Sequence, residues 1–309
     1  ACPGPWSRRH LFVAQTRARR GAGPQGSEPL TVLSTTAPFG FEFDVSLLMG
    51  AYRELGCRSC QFYRNEENPP TVEAALKAIG SVGMTVDSIH GVFGYTIDPS
   101  STDPDHRRHC LGVYEREGNL AKALGGPMVV VHPSAWTPQR RELSPAEARA
   151  AEDSRLPALD DFMRRLAEIG ERQGVTYLIE NQPWNCYVGH DPARLAERVL
   201  AVKSARLRMC FDTGHAHITG DVAAWLRAAA PAIDYLHIHD NNARDDDHRM
   251  PGDGTIDWAA FAAALQDTNL KAIRMLEVFY SLERVRALAH AGYGRDLARH
   301  VGLMHGQPV

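Results

Sequence analysis

A parallel (β/α)8 barrel is the fold that this 309-residue sequence predicts, on three observations. Short β-branched or apolar runs alternate with amphipathic helical patterns, the rhythm of βα units feeding a parallel sheet. Eight such runs can be read, one for each strand of a closed α/β barrel of the TIM type. No composition break divides the body of the chain, and a hydrophobic content of 44% is ample for one large core.

The strand candidates occupy residues 30–38, 57–63, 85–92, 128–133, 176–180, 207–212, 235–240 and 273–279. Between them the helices announce their starts. Ser144-Pro145-Ala146-Glu147 is a capping box with proline at the first helical position, and Asp191-Pro192 opens another helix in the same way. Leu159, Phe162, Leu166 and Ile169 recur at three- and four-residue spacing, which gives that long segment one buried stripe. Residues 134–157 form the longest insertion after a strand and are expected to lie as a lid over the pocket.

Residues 1–28 read as a flexible, arginine-rich leader, and residues 29–309 as a single catalytic barrel domain. Residues 1–27 hold Arg8, Arg9, Arg17, Arg19 and Arg20 and no acid, so the formal charge of −3 leaves −8 on the remainder. Ser7-Arg8-Arg9-His10-Leu11-Phe12 resembles a twin-arginine export signal, but residues 14–20 are polar where an apolar segment should follow. Residues 21–27 read as linker. The acidic body argues against nucleic acid as a partner, because duplex binding needs a basic surface. No apolar run approaches the roughly 20 residues that span a bilayer, so no membrane partner is expected. Six scattered cysteines suit a reducing compartment, and a soluble, cytoplasmic protein is expected, with a homo-oligomer left open. Cys57-Arg58-Ser59-Cys60 has the spacing of a redox or zinc pair, but no second pair completes a site, and it reads as structural.

Active sites of such barrels lie at the carboxyl ends of the strands, so polar residues that end apolar runs are the ones to collect. The third strand candidate ends in His90, the fourth in His132 and the fifth in Glu180. The sixth offers Asp212 and His215, the seventh His237 and the eighth Glu277. Glu180 and Glu277 follow apolar residues, where an unpaired carboxylate costs several kcal/mol, so a compensating cation is expected. Imidazole and carboxylate without thiolate suit a divalent metal: manganese, zinc, cobalt or magnesium. His239 is two residues from His237 and faces the same way, so it too reaches the pocket. His217 reads as a surface histidine. Trp136, Trp184, Phe93 and Tyr95 follow strand ends and offer flat walls to a sugar ring, or else pack in the core. Gly252-Asp253-Gly254 lacks the lysine of a phosphate loop and reads as a turn that carries Asp246 and His248.

Three segments resemble the xylose-isomerase-like TIM barrels, which include sugar isomerases and epimerases and the type-four apurinic endonucleases. They are Ile179-Glu180-Asn181, Phe211-Asp212-Thr213-Gly214-His215, and residues 235–254 with His237-Ile238-His239-Asp240-Asn241 and Asp246-Asp247-His248. The resemblance covers roughly residues 30–280. It implies one metal held by Glu180, Asp212, His237 and Glu277. In the endonuclease branch two further metals sit nearby, and the matching positions are His90 and His132 on one side and His215, Asp246 and His248 on the other. One to three metals per chain are therefore implied. The family pattern of histidine, two residues, then aspartate selects His237 as ligand and leaves His239 behind it or on the substrate.

By the same resemblance Glu180 and Glu277 are the acid and base of an isomerase or epimerase. Such an enzyme acts on a small sugar, sugar phosphate or polyol-derived ketone, through a metal-stabilised enediolate. His215 then orients a substrate hydroxyl, unless a further metal claims it. Two departures weaken the match to a specific ketose 3-epimerase. Cys186 stands where those enzymes carry an acid, and their substrate-binding arginine is matched only approximately, by Arg244 or Arg249. The alternatives are a lyase or dehydratase on oxidised sugars using the same site, a metal-dependent phosphodiesterase, and a binding protein that has lost catalysis.

Overall fold

The computed structural model describes residues 33–137 and 144–303. Residues 1–28, expected to form an arginine-rich leader with the export-like Arg8-Arg9, lie outside the described residues. Eight parallel strands close into a barrel: β1 (Leu33–Phe39), β2 (Ser59–Arg64), β3 (Thr85–His90), β4 (Met128–Val131), β5 (Thr176–Glu180), β6 (Leu207–Asp212), β7 (Ile233–Ile238) and β8 (Ile273–Leu276). β8 returns to β1 with Leu33 opposite Arg274 and Thr35 opposite Leu276, which removes both sheet edges. Every strand candidate is a strand. The last turn of chain in several candidates lies beyond the ladder, so His132 and Glu277 sit one residue past β4 and β8.

Strand alternation sorts the side chains into two apolar groups. Val130, Leu178, Cys210, Tyr235 and Met275 meet inside the barrel. The opposite parity, with residues such as Val129, Val131, Ile179 and Phe211, joins the larger core shared with the helices. The barrel interior is otherwise polar: Ser34, Thr36, Gln61 and Ser88 are all buried there. An apolar plug with a polar floor thus sits beneath the strand ends.

The outer layer is α1 (Val45–Glu54), α2 (Val72–Ser81), α3 (Pro104–Leu124), α4 (Pro145–Gln173), α5 (Pro192–Ala201), α6 (Thr213–Thr219), α7 (Val222–Ala229), α8 (Trp258–Thr268), α9 (Leu282–His290) and α10 (Gly294–His300). Side-chain caps start most of them: Asp44, Thr71, Asp103, Asp191, Asp221, Asp257 and Ser281 each accept a first-turn N–H. The predicted box at Ser144 is present. Glu147 N–H donates to Ser144 Oγ at 3.3 Å, and Ser144 N–H donates to Glu147 Oε2 at 2.8 Å. Leu159, Phe162, Leu166 and Ile169 are buried as the stripe requires.

The expected lid is corrected by that same box. Helix α4 begins at Pro145 and runs through Pro157, so the second half of residues 134–157 is helical wall rather than a cover. Buried Glu152 ties this wall to α5 through Arg194, 2.9 Å away. Residues 138–143 lie outside the described residues. Cys57 and Cys60 are buried thiols, and burial pushes both up from their ordinary range, which suits the structural reading.

Candidate metal centre

The centre is built outward from Asp212, the last residue of β6. Its carboxylate caps α6, with Oδ1 accepting His215 N–H at 2.7 Å, and this fixes its rotamer. Asn181 clamps the same strand end: its Nδ2 donates to Asp212 O at 3.0 Å and its Oδ1 accepts Asp212 N–H at 2.8 Å. Thr213 binds the backbone of His239 through its hydroxyl, at 2.7 and 3.0 Å. Gly214 leaves room for the His239 ring, which a Cβ there would overlap. Each residue of the Asp-Thr-Gly-His stretch therefore has its own local task.

Glu180, Asp212, His237 and Glu277 converge. His237 Nδ1 lies 2.6 Å from Glu180 Oε1, 2.9 Å from Glu277 Oε2 and 3.8 Å from Asp212 Oδ2. Glu180 Oε2 reaches His132 Nε2 at 2.9 Å and accepts from Gln182 Nε2 at 3.1 Å. His90 adjoins this side, its ring 5.2 Å from that of His132. On the other side Asp246 Oδ2 meets His215 Nε2 at 3.2 Å and His248 Nε2 at 3.0 Å. His239 Nε2 lies 3.0 Å from Asp212 Oδ1 and 3.7 Å from Asp246 Oδ1. The ligand atoms form adjoining groups within 4.8 Å of one another: His90, His132 and Glu180; Glu180, Asp212, His237 and Glu277; and His239, Asp246 and His248, with His239 also grouped with Asp212 and His215.

These residues fit a divalent metal on three counts. Donors about 2.0–2.2 Å from one ion lie roughly 3–4.4 Å apart, and His237 Nδ1 stands 2.6, 2.9 and 3.8 Å from the three carboxylates, so a small spreading of the two glutamates admits an ion. Glu180, Asp212 and Glu277 are 1%, 0% and 6% exposed, and their ion pairs among the described residues are with histidines, none with Lys or Arg. Three histidines are also tautomerically prepared. Nδ1–H of His90, His215 and His248 donates to the carbonyls of Gly91, Asn181 and Glu277 at 2.9, 2.8 and 2.9 Å. That turns each Nε2 away from the backbone, as a ligand needs, and a cation would displace any proton held there.

Burial, then the adjacent His132, lowers His90 to about 4, so it is neutral near pH 7. Burial opposes the charge of His248, but Asp246 outweighs it and raises the ring to about 9. Burial raises Glu180, yet His237 and His132 outweigh it and hold its carboxyl well below the usual range.

Trp136 is half-buried, edge-on to Phe93, which covers His132 at 4.6 Å between ring centroids. Trp136 also lines an open cavity of about 420 Å³ with Tyr95, Asp98, Arg155 and Tyr187. Trp184 is 41% exposed and rests on His190 rather than on the candidate ligands. Arg249 pairs with Asp247 at 2.9 Å and holds its own loop, while Arg244 is exposed. His217 is half-buried and bonded to Thr255 Oγ1 at 2.9 Å. Gly252 N–H donates to Asp240 at 2.9 Å, and Gly254 leaves space for Asp240 and Asn241, so the turn shapes the loop bearing Asp246 and His248. Sequence reading passed over Gln61, Gln182 and Cys210. Gln61 Nε2 lies 3.2 Å from His237 Nε2, and its one sequence signal is a lone amide in an apolar strand.

The chain spans less than two thirds of the length of the curated relatives it matches. Uncharacterized protein MJ1311 of Methanocaldococcus jannaschii is 30% identical over 197 residues, 61% of this chain and 63% of its own. A probable endonuclease 4 of Oleidesulfovibrio alaskensis is 29% identical over 194 residues, 57% of this chain and 62% of its own. Among solved structures, a D-tagatose 3-epimerase-like protein superposes with a TM-score of 0.67 at 20% identity, covering 87% of this chain and 98% of that one. The family model described as Xylose isomerase-like TIM barrel matches residues 50–298. The closed barrel and this match agree: the chain belongs to the xylose isomerase-like TIM barrel family.

Proposed function

We propose that this protein is a metal-dependent isomerase or epimerase of a small sugar, sugar phosphate or polyol-derived ketone. The observation that carries the reading is the approach of Glu180 and Glu277, from β5 and just past β8, to the same nitrogen of His237. Glu180, Asp212, His237 and Glu277 would hold a divalent cation, which supplies the positive charge that stabilises an oxygen beside a carbon losing its proton. One carboxylate would take the proton from that carbon, and the other, entering with a proton of its own, would deliver that proton to the opposite face, which inverts the centre; both then re-equilibrate with solvent. His132, on the second oxygen of Glu180, orients that carboxylate. His215 Nε2, 3.2 Å from Asp246 Oδ2, would hold a substrate hydroxyl. The fold likeness to the D-tagatose 3-epimerase-like protein supports this reading. Incubation of candidate ketoses in D2O should place deuterium on a substrate carbon, and Glu277→Gln should abolish the exchange with metal still bound. Exchange that survives the substitution removes Glu277 from the role. Loss of water or of an aglycone in the same assay would redirect the reading to a dehydratase or lyase.

A second reading is favoured by one specific observation, the adjoining groups that bring His90, His132, His215, Asp246 and His248 around the central four. Such a cluster suits phosphodiester hydrolysis at an abasic site, and the relative named a probable endonuclease 4 supports it. The −8 charge of residues 28–309 opposes it. Incision of an abasic duplex by a protein carrying three metals per chain would establish this alternative over the isomerase.

A further inference from the structure

We propose that Gln61 is the positioning residue that holds His237 in the tautomer a metal requires, by accepting His237 Nε2–H on its amide oxygen. The inference rests on the metal-centre reading above. It comes from a difference among the histidines. His90, His215 and His248 each anchor Nδ1–H on a backbone carbonyl and free Nε2. His237 is turned the other way: its Nδ1 faces Glu180, Glu277 and Asp212, so Nδ1 is the ligand atom and Nε2 must carry the proton. Gln61 meets this Nε2 at 3.2 Å, reached from β2 across the barrel, while the Cys210 thiol also adjoins the ring.

Gln61 is 1% exposed and His237 is 0% exposed, so solvent does not substitute for the amide. As it stands, Gln61 turns Nε2 toward His237 and also donates to Ser88 Oγ at 3.1 Å, while its Oε1 has no hydrogen-bond partner. That orientation serves a ring with its proton on Nδ1. A ring that ligates through Nδ1 would set N–H against N–H at 3.2 Å. Rotating the amide by half a turn places Oε1 there instead, with almost no change of shape. Ser88 can follow, because a hydroxyl both donates and accepts. Ser88 Oγ also lies 2.8 Å from Asp87 Oδ1 and 2.8 Å from Tyr235 OH. Asp87 keeps Tyr235 OH at 2.7 Å and Ser34 Oγ at 2.5 Å when the Ser88 proton turns to Gln61. One amide atom of Gln61 is unpaired in either orientation, so the amide contributes little preference of its own and the state of His237 selects.

The test uses Mn2+ alone, titrated into the full chain by calorimetry, with Gln61→Met and Gln61→Glu. Gln61→Met should weaken Mn2+ binding by about 10- to 100-fold. Gln61→Glu, whose carboxyl can accept the His237 Nε2 proton in either charge state, should restore binding to within about threefold of the wild type or better. Equal weakening in both variants would mean that only the bond to Ser88 or the side-chain shape matters, and would overturn the proposal. So would unchanged affinity in both. Where a variant fails to fold, the 15N-histidine spectrum of the zinc-loaded wild type decides: protonated Nε2 with metal-shifted Nδ1 on His237 is expected, and the reverse overturns the proposal. A wild-type chain that takes up no metal defeats the underlying centre, whereas normal uptake indifferent to Gln61 defeats only this inference.

Discussion

Replacing Gly214 with alanine tests whether the Asp212–His215 stretch is as tightly built as its contacts imply. A Cβ at this position lies 2.5 Å from Nδ1 and 2.7 Å from Nε2 of His239, far inside the roughly 3.5 Å of ordinary contact. The ring cannot swing aside freely. It is fully buried, bonded to Asp212 at 3.0 Å and stacked on His248 with centroids 4.1 Å apart. Overpacking costs about 1–3 kcal/mol, and pulling His239 from the Asp212 carboxylate adds about 1–3 kcal/mol. A total of about 2–6 kcal/mol corresponds to a fall in Tm of roughly 4–12 °C, at about 2 °C per kcal/mol for a domain of this size. Thermal unfolding should show that fall, and Mn2+ titration should show at least about tenfold weaker binding, because Asp212 loses its orientation. Gly50→Ala is the control: its Cβ would meet nothing within 4 Å in α1, so stability should hold or rise by about 0.5–1 kcal/mol. A Gly214→Ala protein that melts within about 2 °C of wild type and binds metal normally would refute the close approach and the role assigned to the glycine.

Two further substitutions probe the frame around the centre. Asp240 is buried and accepts from the N–H groups of Asn241, Gly252 and Ile256 and from Trp258 Nε1, at 2.9, 2.9, 3.1 and 2.8 Å. Asp240→Ala leaves these donors unpaired, should cost at least about 3 kcal/mol in urea unfolding, and should loosen the loop of Asp246 and His248; an unchanged midpoint would contradict this. Arg274 is 4% exposed, with Nε and Nη1 unpaired, and burial alone lowers its guanidinium from 12.5 to about 10. At about 1.4 kcal/mol per pH unit this is a penalty of up to about 3 kcal/mol, so Arg274→Met should stabilise the fold by about 1–3 kcal/mol. Because the folded value is lowered, the charged form is the disfavoured one. The penalty is fully present below pH 10 and fades only as pH rises from 10 toward 12.5, so the gain should be level from pH 6 to 9; a gain that varies across that range refutes the cause.

The barrel was legible because its physical signals are local. Strand runs, a capping box and polar residues at strand ends are all read within a few positions, and Glu180, Asp212, His237 and Glu277 do converge. What could not be read depends on closure. Gln61 meets His237 across the barrel, 176 residues away in sequence, and no spacing rule links two strands that are not neighbours in the sheet. Trp184 donates to Ile218 O at 3.1 Å, a partner on α6 that no spacing in the sequence links to it. The lid was an error of weighting. The helix start at Ser144 was visible and sets the limit of any loop after β4.

Closure also explains why the histidines divide into two kinds. A ring at a strand end, in the first turn of α6 or on a loop, as in His90, His215 and His248, has a backbone carbonyl within reach of Nδ1, because its own or a neighbouring chain turns there. His237 lies within the ladder of β7, opposite Asp212 on β6 and Met275 on β8, where the carbonyls are committed to strand pairing. A side chain from across the interior must then take the carbonyl's place, and the polar floor of Gln61, Ser88, Tyr235 and Asp87 is what the barrel places beneath it. An apolar residue at position 61 would fill the same space and leave the proton of His237 Nε2 unbonded, which is the loss that the Gln61→Met titration measures.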